Sequence, residues 1–342
     1  MFKQKDMRKL AFSILALIIF INGQAQQDRH YSMFYAAPMT INPGATGFFP
    51  GDIQVFTGFK NQWKSISSNP YNTISASLDT KVMKNKSNNS FLGLGVNFYN
   101  DKSGDSQLTT NIANISINYA IEIADNHQLA LGVQPSFFQR FASMESLTWD
   151  QQWTGSTFDT NLENGETLIT DKSFQFDINS GLYYFGKLNN QNSINFGVSV
   201  AHLLTPQNTL LNGNENLYQK YTIHGGGEFS KNGSKLAFSP NLIYFKQGPN
   251  QSLSIGNDFI YSLKESSKYT GYYDKSTISL GSYLRIGDAF YTTLFLNFAE
   301  FSLGVSYDLN MSGLSVATDG RGGMEMLLRY RINLSKSAAA SL

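Results

Sequence analysis

Apolar residues alternate with polar or small residues along most of the chain. Near the C-terminus, every second residue from Met324 to Leu334 is apolar, and the residues between them are mostly charged or polar. The same period of two appears in residues 174–184, 194–201 and 301–310. A period of two predicts β-strands that have one apolar face and one polar face.

Fourteen segments carry this alternation and predict an all-β chain. Many of them are 10 to 13 residues long, close to the roughly 9–11 residues with which a tilted strand crosses a bilayer. Since every backbone N–H and C=O must be paired in hydrocarbon, a sheet there has to close on itself. The prediction is a closed antiparallel transmembrane β-barrel of about 14 strands. The predicted strands are 51–62, 70–82, 90–100, 109–121, 127–139, 173–186, 192–203, 219–230, 234–247, 251–263, 276–287, 289–298, 299–310 and 322–334.

The lengths of the connections favour one orientation of this barrel. An even strand number places both ends of the barrel on the periplasmic side. Residues 140–172, 204–218 and 311–321 then form outer loops, where long connections are usual. The short turn at 231–233 faces the periplasm. The connection at 264–275 is an exception, because it is long and yet falls on the periplasmic side.

The first 25 residues resemble a secretory signal peptide. Four basic residues precede an apolar run over 10–21 that only Ser13 interrupts, and Gly23 and Ala25 supply small residues before a cut after Ala25. The run of 12 residues is shorter than the roughly 20 that a membrane helix needs. We therefore expect export and cleavage.

Residues 26–50 lack the alternation and contain three prolines and several aromatic residues. Two placements remain open: this segment plugs the lumen, or it packs under the periplasmic mouth. The expected divisions are a signal peptide (1–25), an N-terminal plug-like or periplasmic segment (26–50), a transmembrane barrel (51–334) and a tail (335–342).

Composition agrees with an integral protein of a Gram-negative outer membrane. Charged residues make up 15% of the chain and aromatic residues 14%, against about 25% charged residues in ordinary globular proteins. The net charge of +1 and the absence of a basic stripe argue against nucleic acid as a partner. A secreted soluble β-sandwich is the alternative, and the length of the alternating segments disfavours it. The chain has no cysteine, which excludes disulfides and lipid attachment to cysteine.

No motif for catalysis, metal or cofactor binding is found, so an enzyme is not predicted. The four histidines are His30, His127, His202 and His224, and none has the spacing of metal ligands. His202 and His224 fall near the outer ends of adjacent predicted strands, where they are placed to meet. The alternative is that both are ordinary histidines of the lumen or its rim.

Charged residues of both signs fall in the inward phase of the predicted strands. Charges inside a barrel need partners or water, which favours a sealed lumen crossed by salt bridges. A solute pathway is the alternative, although mixed charge argues against a selective ion pore. These inward charges are Asp79, Asp177, Asp258, Arg285, Asp308, Glu325, Arg329 and Arg331.

The longest predicted outer loop, 140–172, contains two of the three tryptophans, Trp149 and Trp153. Aromatic residues in an outer loop suit a partner-binding surface, because tryptophan and tyrosine often anchor interfaces. The alternative is a loop that packs on itself and caps the barrel.

Short motifs occur in a fixed order over the whole chain after the signal peptide. They are residues 41–47 (INPGATG), 59–63 (FKNQW), 197–203 (GVSVAHL), 280–285 (LGSYLR), 306–308 (SYD) and 321–325 (RGGME). Their order resembles the PorP/SprF family of type IX secretion membrane proteins. Arg29 is a departure, because the family often has proline there. The positions that carry the resemblance are Asn42, Pro43, Asn61, Gln62, Trp63, His202, Arg285, Asp308 and Glu325.

The resemblance implies a role in type IX secretion and gliding motility. Members of this family are outer-membrane barrels, and some export large adhesins or hold them at the surface through a C-terminal domain. The implied partners are an adhesin C-terminal domain, periplasmic secretion or gliding components and outer-membrane lipid. Under this interpretation the loop of Trp149 and Trp153 contacts the secreted domain, and the N-terminal segment faces the periplasmic machinery. A channel for small or hydrophobic solutes is the alternative function.

Overall fold

The computed structural model describes residues 28, 30–64, 67–85, 89–142, 147–163, 165, 172–207, 216–264, 276–313 and 315–334. The predicted signal peptide, the tail at 335–342 and most of the long connection at 264–275 lie outside the described residues. No helix within these ranges is long and apolar enough to cross a membrane.

In the described part of the chain, fourteen antiparallel strands close into one barrel. Each strand pairs with its neighbours in sequence, and the last strand pairs with the first. This arrangement confirms the predicted fold class and strand number. The strands are β1 (Ile53–Gln62), β2 (Tyr71–Asn85), β3 (Ser90–Ser103), β4 (Leu108–Ala124), β5 (His127–Phe141), β6 (Lys172–Lys187), β7 (Ser193–Ala201), β8 (Lys220–Ser230), β9 (Leu236–Gln247), β10 (Asn250–Lys264), β11 (Ser276–Arg285), β12 (Ala289–Phe298), β13 (Phe301–Asn310) and β14 (Arg321–Ile332).

The predicted strands differ from the observed ones mainly at their ends. The strand predicted at 192–203 ends at Ala201, because His202 has a left-handed backbone with φ of 59°. The strand predicted at 276–287 ends at Arg285, because a turn with Gly287 at φ of 77° follows it. Left-handed residues interrupt the extended backbone that a ladder requires.

The alternation separates an outward apolar face from an inward polar face. On β14, Met326 and Leu328 are each 43% exposed on the outside, whereas Glu325 and Leu327 are buried at 1% and 4% exposure. Outward apolar side chains suit hydrocarbon, and inward polar side chains find partners in the lumen. The lipid-facing surface and the lumen thus come from alternate residues of the same strands.

The two ends of the barrel differ in their connections. We call the end where β1 begins and β14 ends the terminal end; there Ile53 pairs with Ile332. The opposite end, where Gln62 pairs with Gly323, is the loop end. The described parts of the connections that follow β5, β7 and β13 lie at the loop end, and the last of them contains the short helix α1 (Ser315–Thr318).

Residues 28 and 30–50 form what we call the inner segment, which lies inside the barrel. It begins at the loop end, where the N–H of Asp28 donates to Oε1 of Gln247 over 2.8 Å. It reaches β1 at the terminal end, where the N–H of Asp52 donates to the carbonyl of Ile332 over 2.8 Å. Its regular parts are short 3-10 turns at Phe34–Ala36, Pro38–Thr40 and Pro43–Ala45.

The inner segment provides much of the apolar core. Met33, Ala36 and Ala37 pack in one cluster with Phe56, Phe295 and Leu327 of the wall. Phe34 packs in a second cluster with Ile243, Tyr283 and Tyr291. Complete burial of a side chain such as Met or Phe stabilises by about 1.5–3 kcal/mol. These contacts hold the segment to the wall on several sides.

Candidate functional site

A buried carboxylate holds the main chain of the inner segment. Both oxygens of Glu325 accept from the N–H of Ser32, at 2.8 and 2.9 Å, and Oε2 also accepts from the N–H of Met33 at 3.2 Å. Nζ of Lys60 lies 3.1 Å from Oε1 of the same carboxylate. Lys60 and Glu325 face each other across the pairing of β1 with β14.

A second buried ion pair, between Arg285 and Asp308, forms hydrogen bonds with the side chain of Ser32. Oγ of Ser32 donates to the Asp308 carboxylate at 2.9 Å and accepts from Nη2 of Arg285 at 2.8 Å. Nη2 of Arg285 also donates to Asp308 over 3.2 Å, and Nη1 donates to Asp288 over 3.0 Å. We call the residues Ser32, Lys60, Arg285, Asp308 and Glu325 the Ser32 cluster. Its two cations and two anions balance.

The Ser32 cluster unites three positions that the sequence motifs single out: Arg285, Asp308 and Glu325. Ser32 and Lys60 were not predicted as site residues. Lys60 lies in the inward phase of β1, so the alternation contained a signal for it. Ser32 belongs to a segment without periodicity, so the alternation contained no signal for its contacts.

Asn42 joins the middle of the inner segment to the wall. Its Oδ1 accepts from the N–H of Gly44 over 2.8 Å and caps the turn Pro43–Ala45. Its Nδ2 donates to the carbonyl of Leu182 over 2.9 Å and lies 3.0 Å from Nε2 of His224. The two strand-end histidines have different partners, since His224 faces Asn42 and His202 lies beside Asp28 and Asp177.

Glycines let this part of the segment approach the strands closely. A Cβ on Gly132 would lie 2.3 Å from the carbonyl carbon of Pro43. A Cβ on Gly44 would lie 2.8 Å from the carbonyl oxygen of Gly181. Real Cβ atoms do not approach backbone this closely, so Pro43 and Gly44 fit against β5 and β6 because side chains are absent there.

His202 lies at the loop end and bridges two carboxylates. Its Nδ1 lies 2.6 Å from Asp177 on β6, and its Nε2 lies 2.8 Å from Asp28. Burial disfavours the charged imidazole, but the two carboxylates outweigh burial and raise the pKa of His202 to about 10. Burial would raise the pKa of Asp28, yet His202 and Lys220 hold that pKa below its ordinary value. The charged imidazole therefore ties the start of the inner segment to the wall.

Asn61, Gln62 and Trp63 lie together at the rim of the loop end. Nδ2 of Asn61 donates to Oδ1 of Asn72, and Gln62 is the last residue of β1. Trp63 has φ of 62°, and the centroid of its ring lies 4.8 Å from that of Tyr71. These motif residues follow Lys60 of the Ser32 cluster along β1 and form part of the rim.

The loop-end segment 147–163 combines internal packing with an exposed aromatic pair. Gln152 is buried; its Oε1 accepts from the N–H of Trp149, and its Nε2 donates to the carbonyl of Leu162. The rings of Trp153 and Phe158 pack at a tilt of 57°, with centroids 4.9 Å apart, and remain 49% and 44% exposed. Trp149 is half-buried. An apolar surface is thus displayed on an internally bonded loop.

The inner segment leaves part of the lumen unfilled. A cavity of about 230 Å³ lies between the segment and the inward faces of β4, β5 and β6 and reaches the residues of the loop end. Within the described residues, no group of three or more His, Cys, Asp or Glu side chains is arranged to hold a metal ion.

Comparisons with known proteins identify a family for the chain and, separately, a shared fold. A family model described as type IX secretion system membrane protein PorP/SprF matches residues 23–330. No curated protein matches the chain. The solved structure of a deltaS2S3 mutant of the monoaromatic hydrocarbon channel TodX matches with a TM-score of 0.50 and 8% identity over 87% of this chain and 94% of that chain. The Pseudomonas putida toluene transporter TodX gives a TM-score of 0.48 and 8% identity over 86% and 92%. At such low identity the likeness shows the fold alone.

Proposed function

Because the chain belongs to the PorP/SprF family of type IX secretion system membrane proteins, we propose that it docks a secreted adhesin at the cell surface through the adhesin's C-terminal domain. The protein is an integral barrel of the outer membrane. In the proposed orientation the loop end faces the outside. The terminal end then faces the periplasmic components of the secretion or gliding machinery.

The observation that carries this proposal is the anchored inner segment. The segment forms hydrogen bonds with Glu325, Asp308 and Leu182, which belong to β14, β13 and β6 on different sides of the barrel. Removal of the segment would leave the buried carboxylates of Glu325 and Asp308 without the N–H and hydroxyl donors of Ser32. Each buried polar group that loses a hydrogen-bond partner in this way costs about 1–3 kcal/mol. A lumen held in this way suits a rigid docking scaffold better than an open pore.

The loop end offers an apolar surface for the adhesin. Trp153 and Phe158 are exposed on a loop whose own hydrogen bonds fix its shape. A rigid aromatic pair loses little conformational freedom when a partner covers it. This role needs no catalytic group, metal or cofactor, so we propose that the protein is not an enzyme.

A channel for small or hydrophobic solutes is the second candidate function. The cavity of about 230 Å³ in the lumen favours it. Conductance across planar bilayers separates the two functions, because a docking barrel with its segment in place stays closed, whereas a channel conducts.

The decisive test is surface retention of the adhesin by loop variants. A gentle detergent pull-down with mass spectrometry first identifies the adhesin. We then expect the double variant Trp153→Ala/Phe158→Ala to lower the adhesin retained on cells by about tenfold or more, since an aromatic hot spot contributes about 2 kcal/mol or more. Flow cytometry with an antibody to the adhesin measures retention.

The matched control is Val316→Ala. Val316 is 92% exposed in a different loop-end connection, so its truncation removes exposed apolar surface outside the proposed interface. Unchanged retention in the aromatic double variant, with the barrel present at wild-type amounts, would show that this loop does not bind the adhesin.

A further inference from the structure

The strands do not all extend equally far at the loop end. β6 has 16 residues and pairs with β5 along its whole length, up to the pair formed by Phe141 and Lys172. β7 has 9 residues, and its ladder with β6 ends where Ser180 pairs with Val200. The part of β6 nearest the loop end therefore extends beyond β7 and has a strand ladder on one side only.

The residues that follow β7 cover only the lower part of this exposed side. The N–H of Leu203 donates to the carbonyl of Ile178 over 3.1 Å. The N–H of Leu204 donates to Oδ1 of Asp177 over 3.3 Å, and the N–H of Ile178 bonds to the same atom over 2.8 Å. The hydrogen bonds on this side of β6 thus end at Asp177, and residues 173–176 lie beyond it. We call residues 173–176 the open edge of β6.

The main chain of the open edge presents hydrogen-bonding groups without partners. The N–H and C=O groups of successive residues in a strand point to opposite sides. The carbonyl of Ile178 points to the β7 side, where Leu203 donates to it. The main-chain groups of Phe174 and Phe176 therefore point to that side as well, and none of them has a hydrogen-bond partner among the described residues. Such an unpaired edge is a template for a further strand.

The side chains give the open edge an apolar face and a polar face. Phe174 and Phe176 are 67% and 44% exposed on the outside. Ser173 and Gln175 point inwards, in phase with the buried Asp177 that lines the cavity. Opposed residues of neighbouring strands place their side chains on the same face. A strand that matches this edge therefore has apolar residues at alternate positions and polar residues between them.

The open edge is continuous with the surface that we propose docks the adhesin. β5 and β6 form one hairpin, and the connection between them contains the exposed pair Trp153 and Phe158. Both features lie at the loop end, which faces the outside in the proposed orientation. A secreted partner that binds this loop is therefore held at the same end of the same hairpin as the open edge.

We propose that the open edge of β6 binds an extended strand of the secreted partner, in which apolar residues alternate with polar ones. The main chain of that strand pairs with Phe174 and Phe176, and its apolar side chains lie beside their rings. In strand addition of this kind, main-chain hydrogen bonds supply affinity and alternate side chains supply specificity. This inference rests on the proposed docking function and deepens it, because it names the structural form in which the partner is bound.

Site-specific photo-crosslinking in living cells identifies what occupies the open edge. p-Benzoylphenylalanine replaces Phe174 in the full chain, and the matched control carries it at Phe137. Phe137 is also 67% exposed on the outside, but it lies on β5 and has strand partners on both sides. We expect position 174, and not 137, to crosslink to one discrete segment of the secreted protein, identified by mass spectrometry. Crosslinks from 174 only to the protein's own chain or to a second copy overturn the proposal.

Two substitutions at one position separate the main chain from the side chain. Phe174→Pro removes the N–H that points to the open side and leaves the ladder with β5 intact, because proline is tolerated in an edge strand where the N–H is unpaired. Phe174→Ala removes the same ring but keeps the N–H. We expect cells with the proline variant to retain about fivefold less adhesin than cells with the alanine variant, since one hydrogen bond contributes about 1 kcal/mol. Flow cytometry measures retention, and mobility of unheated samples on detergent gels verifies folding.

The outcomes separate this inference from the docking function. Equal retention by folded proline and alanine variants overturns strand addition at β6. If Trp153→Ala/Phe158→Ala still lowers retention in that case, docking through the loop stands. If deletion of the whole barrel leaves adhesin retention unchanged, the docking function itself fails. The crosslink at 174 needs neither variant, so it tests strand addition even if the proline variant does not fold.

Discussion

Replacing Glu325 by glutamine removes the negative charge that holds the inner segment at β14. One carboxylate oxygen becomes an NH₂ group that faces the N–H groups of Ser32 and Met33, where an acceptor stood. Lys60 keeps an amide oxygen in the place of Oε1 and the carbonyl of His30, at 2.6 Å, but it loses its negatively charged partner. Both changes leave donors or charge without compensation in a buried site.

The expected cost follows from these contacts. Breaking a buried ion pair by neutralising one partner costs about 3–5 kcal/mol. The reverse change, Lys60→Met, should cost less, about 1–3 kcal/mol, because the Glu325 carboxylate retains its backbone donors. In the double variant neither charge is left alone, so its cost should fall below the sum of the single costs by about 1–3 kcal/mol.

Urea unfolding of the barrel in lipid vesicles measures these differences through tryptophan fluorescence. With a slope of about 2–3 kcal/mol per molar, Glu325→Gln should lower the midpoint by about 1–2.5 M. A Glu325→Gln midpoint within about 0.3 M of the wild type, or single costs that add without coupling, would refute the view that this pair anchors the segment across the β1–β14 pairing.

Two further perturbations test other anchors of the inner segment. Gly132→Ala should displace Pro43, destabilise the barrel by about 1–3 kcal/mol and raise its conductance in planar bilayers. The control is Gly313→Ala, whose added Cβ meets nothing within 4 Å and should change neither stability nor conductance. Equal behaviour of the two variants would contradict the close packing of Pro43 against Gly132. Because partners raise the pKa of His202 from 6.5 to about 10, its contribution is complete below about pH 6.5 and declines as the pH rises through about 10. His202→Asn, which tolerates the positive φ, should flatten that decline in urea midpoints measured from pH 6 to pH 11, and an unchanged slope would show that the bridge to Asp28 does not stabilise the fold.

The strands were predictable because a membrane imposes their pattern. Hydrocarbon outside and a polar lumen inside force a strict period of two, and this period also placed Arg285, Asp308 and Glu325 on the inward face. The end of β7 was not predictable, since nothing in the local sequence reveals that His202 adopts a left-handed backbone. The partners of His202 come from residues 25 and 174 positions away in sequence.

The inner segment resisted prediction for a different reason. Its contacts depend on where fourteen strands converge in space, and residues such as Ser32 show no periodicity that would indicate a partner. Even so, the motif at 41–47 singled out Asn42. In the structure Asn42 caps the turn Pro43–Ala45 that follows it directly and donates a hydrogen bond to the carbonyl of Leu182. A family pattern can thus mark a site whose geometry the sequence does not reveal.

The position of the inner segment links the N-terminal residues to the closing of the barrel. Ser32 bonds to a residue 293 positions later in the chain, and Nη1 of Arg329 donates to the carbonyl of Ala36 over 3.1 Å. The segment is continuous with β1, whereas these two partners lie on β14, the strand that closes the barrel onto β1. The same seam therefore unites the two ends of the chain and holds the interior. We expect a chain truncated before β1 to bring Lys60 and Glu325 together at that seam without the donors of Ser32.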